Sequence, residues 1–160
     1  MSGVEETRAR FRPVQVSTLF VGESAPASGD FFYFGNTVMT QHMRRAIEET
    51  FGPTDDFLQT FKSYGWFLDD LVLLPLNKMP PIERKLVCKN ARPDLADRIR
   101  QYQPKAIVTL LRSIAVDVEA AARMAGSAAT RYVVPFPGFG QQRRFHVEMT
   151  AILPLLPKVT

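Results

Sequence analysis

One segment of the sequence, residues 22–37, combines side chains that chemistry uses. It follows the apolar run of residues 16–21, and it contains the carboxylate of Glu23 and four consecutive aromatic residues, 31–34. A β-rich run that leads through a Gly- and Ser-containing loop to Thr37, a helix-capping residue type, predicts a strand, a loop and then a helix. Because open parallel α/β sheets bind ligands at the carboxyl ends of their strands, we interpret this segment as an active-site loop.

The composition bounds the class of protein. A chain of 160 residues that is 46% hydrophobic is long enough for one domain with a core and too short for two. The net charge of +4 favours a polyanionic partner without demonstrating one. The single Cys88 excludes an internal disulfide and indicates a reducing compartment. No apolar stretch approaches the roughly 20 residues that cross a bilayer, and the N-terminus lacks an apolar signal core, so we expect a soluble, cytoplasmic protein.

Apolar periodicity predicts strands that alternate with helices. Predicted strands cover residues 16–21, 66–74, 105–111 and 132–134, and predicted helices cover residues 38–51, 55–64, 93–101, 114–124 and 142–156. Residues 75–90 are predicted to form a Pro-rich loop, and the charged residues 1–14 are predicted to form a peripheral N-terminal arm. This order indicates a three-layer α/β/α fold with a four-stranded, mainly parallel central sheet.

Four segments carry a resemblance to a known family. Residues 22–36 contain Gly-Glu-Ser-Ala-Pro and, further on, a Phe before a Gly-Asn pair, and residues 71–88 contain a Pro-rich stretch followed by a Glu and a Cys. Residues 104–110 read Pro-Lys-Ala-Ile-Val-Thr-Leu, and residues 135–145 contain Pro-Phe-Pro-Gly-Phe-Gly before Arg-Arg-Phe. In this order they resemble the uracil-DNA glycosylase superfamily, mainly its thermophile-type branch, with features of the mismatch-specific branch in the first segment. The resemblance implies a single such domain over residues 1–160.

The family's activity is to flip a uracil or a related deaminated base out of DNA and to hydrolyse its N-glycosidic bond. The resemblance implies that Glu23 is the catalytic carboxylate, which stabilises the oxocarbenium-like sugar and orients the attacking water. It implies Phe31 or Phe32 as the aromatic platform under the base, with Tyr33 as a third choice. Asp70 is the second residue that the resemblance implies in a catalytic role, and the other residues implied around the base are Gly22, Ser24, Asn36 and Phe136. Uracil, hypoxanthine, xanthine and mismatched thymine all stay open as the preferred base.

Two positions depart from the family pattern. Asp70 lies about where the superfamily has an Asn that reads uracil, and an ionised Asp only accepts hydrogen bonds. Either Asp70 is protonated, or Asn36 or Asn77 reads the base. Phe136 stands where a His stabilises the departing base. A catalytically weak or inactive DNA-binding, base-sensing protein on the same fold is therefore the alternative.

The rim that would face DNA is predicted near the C-terminus. Arg143 and Arg144 begin the last predicted helix, where guanidinium groups and free backbone N–H groups can meet a phosphate. Phe139, at the tip of the preceding loop, is a candidate wedge into the base stack. Further candidates for DNA contact are Lys78, Gly138 and Gln142.

We expect no cofactor, no metal and a monomer. The cluster-binding cysteines of the thermophile-type branch are reduced to Cys88, which cannot hold an iron–sulfur cluster alone. His42 and His146 have no partner at metal-ligand spacing. Asp69 and Asp70 are neighbours in a predicted strand, so their side chains are expected to point to opposite faces and to share no ligand.

Overall fold

Four parallel strands form the centre of the protein, in a computed structural model that describes residues 3–159. Their order in the sheet is β2-β1-β3-β4, and their ranges are β1 (Thr18–Gly22), β2 (Trp66–Asp70), β3 (Ala106–Thr109) and β4 (Thr130–Val133). β1 pairs with β2 from Thr18↔Trp66 to Gly22↔Asp70, so both strands end together. The predicted α/β/α fold is confirmed, and the sheet is parallel throughout.

Seven α-helices surround this sheet within the described residues. They are α1 (Gly3–Phe11), α2 (Val38–Phe51), α3 (Phe57–Ser63), α4 (Pro81–Asn90), α5 (Arg92–Tyr102), α6 (Ala115–Met124) and α7 (Gln142–Ile152). Short 3₁₀ helices cover Phe32–Phe34, Arg112–Ile114 and Leu153–Leu155. α5 packs against α6, and α2 packs against α7, which covers the two faces of the sheet. None of the described helices is long and apolar enough to span a membrane.

The first strand and the helix that follows it form for clear local reasons. β1 lies between two other strands, so its apolar run is buried on both faces. α2 buries Met39, Met43, Ala46 and Ile47, which recur at helical spacing. Thr37 caps this helix, because its hydroxyl accepts the backbone N–H of Thr40 at 3.0 Å. The loop between them, which carries Glu23 and the aromatics, is thus held at both ends.

The prediction of a loop over residues 75–90 is wrong, because residues 81–90 form α4. Cys88 is the one buried residue of this helix, so α4 shows almost no apolar periodicity. β2 ends at Asp70 rather than at residue 74. The cap of α3 is Asp56 rather than Thr54, whose backbone N–H and hydroxyl instead donate to Glu48.

The prediction of a peripheral arm over residues 1–14 is wrong for residues 3–11, which form α1. The buried residues of α1 are Thr7 and Arg8, and the ring of Phe11 stacks on that of Tyr33 with 5.1 Å between centroids. Apolar periodicity could not reveal this helix, because its buried face is polar and is matched by carboxylates of β2.

Candidate functional site

A cavity of 770 Å³ lies at the carboxyl ends of the strands. Gly22 ends β1, Asp70 ends β2, and Leu110 follows β3, and all three line this cavity. The predicted active-site loop forms much of the wall, through Gly22, Glu23, Ser24, Ala25, Pro26, Asp30, Phe31, Phe32, Asn36 and Thr37. The position agrees with the rule that parallel sheets bind ligands at the carboxyl edge.

Glu23 is a largely buried carboxylate of this loop that forms an ion pair within the cavity wall. Its side chain is 16% exposed, and its Oε1 forms an ion pair with the guanidinium of Arg84 from α4. Its Oε2 lies 4.0 Å from the Cys88 Sγ, also on α4. Burial, with the nearby Glu23 charge, raises the pKa of the Cys88 thiol to about 11, so the thiol is neutral near pH 7. Glu23 therefore faces one cation and one neutral group.

Two of the predicted platform residues, Phe31 and Phe32, line the cavity. The guanidinium carbon of Arg8 lies 5.0 Å from the centroid of the Phe31 ring. Arg8 does not line the cavity, so it supports this ring from the protein side. At this spacing the cation is attracted to the ring and restrains its orientation.

Tyr33 is the exception among the predicted platform residues, because the structure does not bring it into the cavity wall with Phe31 and Phe32. It does not line the cavity, and its hydroxyl donates to the Leu68 carbonyl at 2.9 Å and accepts the Leu68 N–H at 2.6 Å. Complete burial raises the pKa of Tyr33 well above its ordinary value of 10. This residue joins the loop to the backbone of β2.

Asp70 belongs to a buried cluster of charged groups at the end of β2. Arg8 Nη1 donates to Asp69 Oδ1 at 3.2 Å and to Asp70 Oδ2 at 3.1 Å. Arg98 Nη1 donates to Asp69 Oδ2 at 2.6 Å and to the Asp70 carbonyl at 2.8 Å. The prediction that Asp69 and Asp70 share no ligand is therefore wrong, because one long side chain reaches both carboxylates where the strand ends. Burial raises the pKa of Asp70 to about 6, although the Arg8 charge opposes the rise.

Asn36 and Asn77, the alternative candidates for reading the base, both line the cavity. The amide oxygen of each accepts a hydrogen bond from the backbone of the active-site loop. Asn36 Oδ1 accepts the Phe31 N–H at 2.9 Å, and its Nδ2 donates to Asp30 Oδ1 at 3.3 Å. Asn77 Oδ1 accepts the Ala27 N–H at 3.1 Å. Both side chains thus shape the wall, and the amide oxygen of each already accepts a backbone N–H.

The segment before α7 closes another side of the cavity. Phe136 and Phe139 line it, and Phe139 is 97% exposed. Gly138 does not line the cavity; a Cβ at this position would lie 2.9 Å from the Phe136 ring, so glycine leaves room for that ring. The Phe139 ring centroid lies 6.5 Å from that of Phe136. This segment presents one exposed aromatic ring at the mouth.

The remaining candidates for DNA contact lie outside the cavity wall. Gln142, Arg143 and Arg144 form the exposed first turn of α7. Within residues 3–159, no carboxylate forms an ion pair with either arginine. Lys78 is also exposed and does not line the cavity. The arginines therefore leave their charge available to an outside anion.

Sequence reasoning missed the contribution of α4 to the site. Pro81, Arg84, Lys85 and Cys88 all line the cavity. Their spacing is i, i+3, i+4 and i+7, which places them on one face of a helix. This spacing is the signal in the sequence that indicates a helix here. It does not stand out as apolar periodicity, because Arg84 and Lys85 are charged. Arg84 and Lys85 supply the positive charge in the described part of the wall.

The described residues contain no group of three His, Cys, Asp or Glu side chains arranged to hold a metal ion. The chain matches no family model and no curated protein.

Proposed function

We propose that this protein is a DNA glycosylase of the uracil-DNA glycosylase superfamily, which excises uracil or a related deaminated base from DNA. The observation that carries the proposal is that Glu23 and the rings of Phe31 and Phe32 line one cavity at the carboxyl edge of a parallel sheet. A volume of 770 Å³ lies within the range of about 300–1,000 Å³ that is usual for small-molecule sites, so it accommodates a nucleotide.

In the proposed reaction, the extruded base stacks on Phe31 or Phe32, and Asp70 contacts its polar edge. The bond between the sugar C1′ and the base nitrogen breaks, and its electron pair leaves with the base. Glu23 stabilises the cationic sugar and orients the water. The water oxygen bonds to C1′, and one of its protons ends on the base.

The surface around the cavity mouth supports a nucleic-acid substrate. Phe139 presents an exposed ring at the mouth, where it can occupy the gap that a flipped nucleotide leaves in the stack. Arg143 and Arg144, exposed in the first turn of α7, can neutralise backbone phosphates. The net charge of +4 has the right sign for this partner.

A second candidate function is base sensing without hydrolysis. It is favoured by the ion pair of Glu23 with Arg84, which places a cation beside the carboxylate that would stabilise a cationic sugar. It is also favoured by Phe136, a side chain that cannot donate a hydrogen bond to a departing base. On this alternative the cavity binds the base and leaves the glycosidic bond intact.

The test is an excision assay with labelled oligonucleotides that carry uracil, hypoxanthine, xanthine or mismatched thymine, in single and double strands, followed by alkaline cleavage of abasic sites. We expect Glu23→Gln to lower the excision rate by about 10²–10³-fold, as the loss of a transition-state contact does, with DNA affinity nearly unchanged.

The matched control is Glu6→Gln, an exposed carboxylate on α1 outside the cavity, and it should keep the wild-type rate. Equal excision by Glu23→Gln and the wild-type chain would remove Glu23 from the mechanism. No excision from any oligonucleotide, combined with binding that depends on the base, would support base sensing instead.

A further inference from the structure

Arg8, on the N-terminal helix α1, does not line the cavity, but its side chain contacts two residues that do, Phe31 and Asp70. Its side chain is 7% exposed, and Nη1 bridges Asp69 and Asp70. The same guanidinium lies 5.0 Å from the centroid of Phe31. One side chain thus contacts both the ring proposed to lie under the base and the carboxyl proposed to contact its edge.

The two oxygens of Asp70 are not equivalent. Oδ2 accepts a hydrogen bond from Arg8, whereas no described residue donates one to Oδ1. Oδ1 lies beside the Gly22 backbone, since a Cβ added to Gly22 would be 2.8 Å from it, and Gly22 also lines the cavity. A carboxyl group whose Oδ2 already accepts from a guanidinium takes up a proton on Oδ1, where no donor competes.

We propose that Arg8 is a positioning residue that sets base specificity, because it directs the Asp70 proton to Oδ1. The neutral carboxyl then donates from Oδ1 to a ring carbonyl and accepts the adjacent ring N–H at Oδ2. That is the lactam edge shared by uracil and hypoxanthine. Cytosine held in the same orientation presents the reverse order, an acceptor nitrogen beside an amino donor, so a proton held on Oδ1 does not fit it. The inference rests on the proposed function in that the ligand is a base.

The charge state of Asp70 depends on groups from three elements. Arg8 from α1 and Arg98 from α5 favour the ionised form, and Asp69 in β2 opposes it. β1 and the 3₁₀ helix Phe32–Phe34, which also lie near this site, carry no charged side chain over their ranges. Burial raises the pKa of Asp70 to about 6, so the neutral carboxyl is present at mildly acidic pH.

The experiment measures dissociation constants of the uracil and cytosine deoxynucleosides, whose sugar restricts the orientation of the base, by ligand-observed NMR, with the full chain at pH 6 and pH 8. At pH 6 the wild-type chain should bind uracil at least about tenfold more tightly than cytosine, as a bidentate contact allows. With a pKa of about 6, the neutral fraction of Asp70 falls about 50-fold between pH 6 and pH 8, and uracil affinity should fall with it.

Arg8→Met removes the group that holds Oδ2, so either oxygen can carry the proton. Discrimination between uracil and cytosine should then fall below about threefold, and uracil binding should persist to higher pH, because loss of the Arg8 charge raises the pKa of Asp70 further. Arg8→Lys keeps a donor and a charge and should restore the discrimination. A folded Arg8→Met chain with wild-type discrimination would overturn the proposal.

Asp70→Asn provides a second test if Arg8→Met does not fold. A carboxamide donates and accepts at every pH, so uracil affinity should become independent of pH. The wild-type pH dependence in Asp70→Asn would overturn the proposal, and so would a wild-type chain that binds neither base. Uracil binding as expected here, without excision from any oligonucleotide, would refute only the hydrolysis in the proposed function.

Discussion

Removal of the Tyr33 hydroxyl tests how the aromatic loop is anchored. In Tyr33→Phe the ring remains, stacked on Phe11 at 5.1 Å and near Phe67 at 6.1 Å between centroids. Only the hydroxyl is lost, and with it the bonds to the Leu68 carbonyl and N–H. β2 is an edge strand, so no further strand is present to pair these two backbone groups.

The magnitude follows from the burial of this contact. Tyr33 and Leu68 are 3% and 4% exposed, so water does not replace the hydroxyl in the folded state. A buried backbone group without a partner costs about 1–3 kcal/mol, so the loss of both contacts should lower the free energy of unfolding by about 2–6 kcal/mol. Excision or base binding by the folded variant should stay at the wild-type level, because Tyr33 does not line the cavity.

The assay is urea unfolding followed by far-UV circular dichroism, with equal slopes required for a comparison of free energies. The matched control is Tyr132→Phe in β4, whose hydroxyl makes no hydrogen bond to the described residues. Its free energy of unfolding should change by less than about 0.5 kcal/mol. A Tyr33→Phe chain as stable as the control, or a stable one that loses base binding, would refute this account of the loop.

Three further predictions concern exposed and charged residues. Arg143→Ala should reduce the slope of log affinity for DNA against log salt by about 1, as the loss of one phosphate contact does; anisotropy titrations would measure this, and Arg123→Ala on α6 is the control. Phe139→Ala should change the free energy of unfolding by less than about 0.5 kcal/mol, because the ring is 97% exposed, yet it should weaken base extrusion, measured by 2-aminopurine fluorescence beside the lesion. Asp70→Asn should remove a pH-dependent loss of stability. The pKa of Asp70 is about 6 in the folded chain and 3.8 in the unfolded chain, so Asp70 holds its proton more strongly when the chain is folded. Its contribution to the free energy of unfolding therefore falls by about 3 kcal/mol as the pH rises from 3.8 to 6, and it is constant at higher pH. Parallel stability curves for Asp70→Asn and the wild-type chain over that range would contradict this reasoning.

The alternation of strands and helices was predictable because those elements bury apolar residues at regular spacing. The run before Gly22, the periodic residues of α2 and the Thr37 cap all carry local signals, and the structure confirms each of them. The position of Glu23 and the aromatics after a parallel strand then implied a site at the carboxyl edge of the sheet. For these features, short-range patterns in the sequence were sufficient.

Tertiary structure alone decided which polar residues meet. α1 and α4 bury almost no apolar side chains, so their sequences carry no clear helical pattern, yet they place Arg8 beside Asp70 and Arg84 beside Glu23. The tertiary structure also places Tyr33 outside the cavity wall that Phe31 and Phe32 line. The reason is that the Tyr33 hydroxyl bonds two backbone groups of Leu68 at the edge of β2. The sequence by itself determined the alternation of strands and helices and the edge of the sheet at which the cavity opens. Contacts between residues about 60 positions apart set the charges inside that cavity, and no local pattern encodes them.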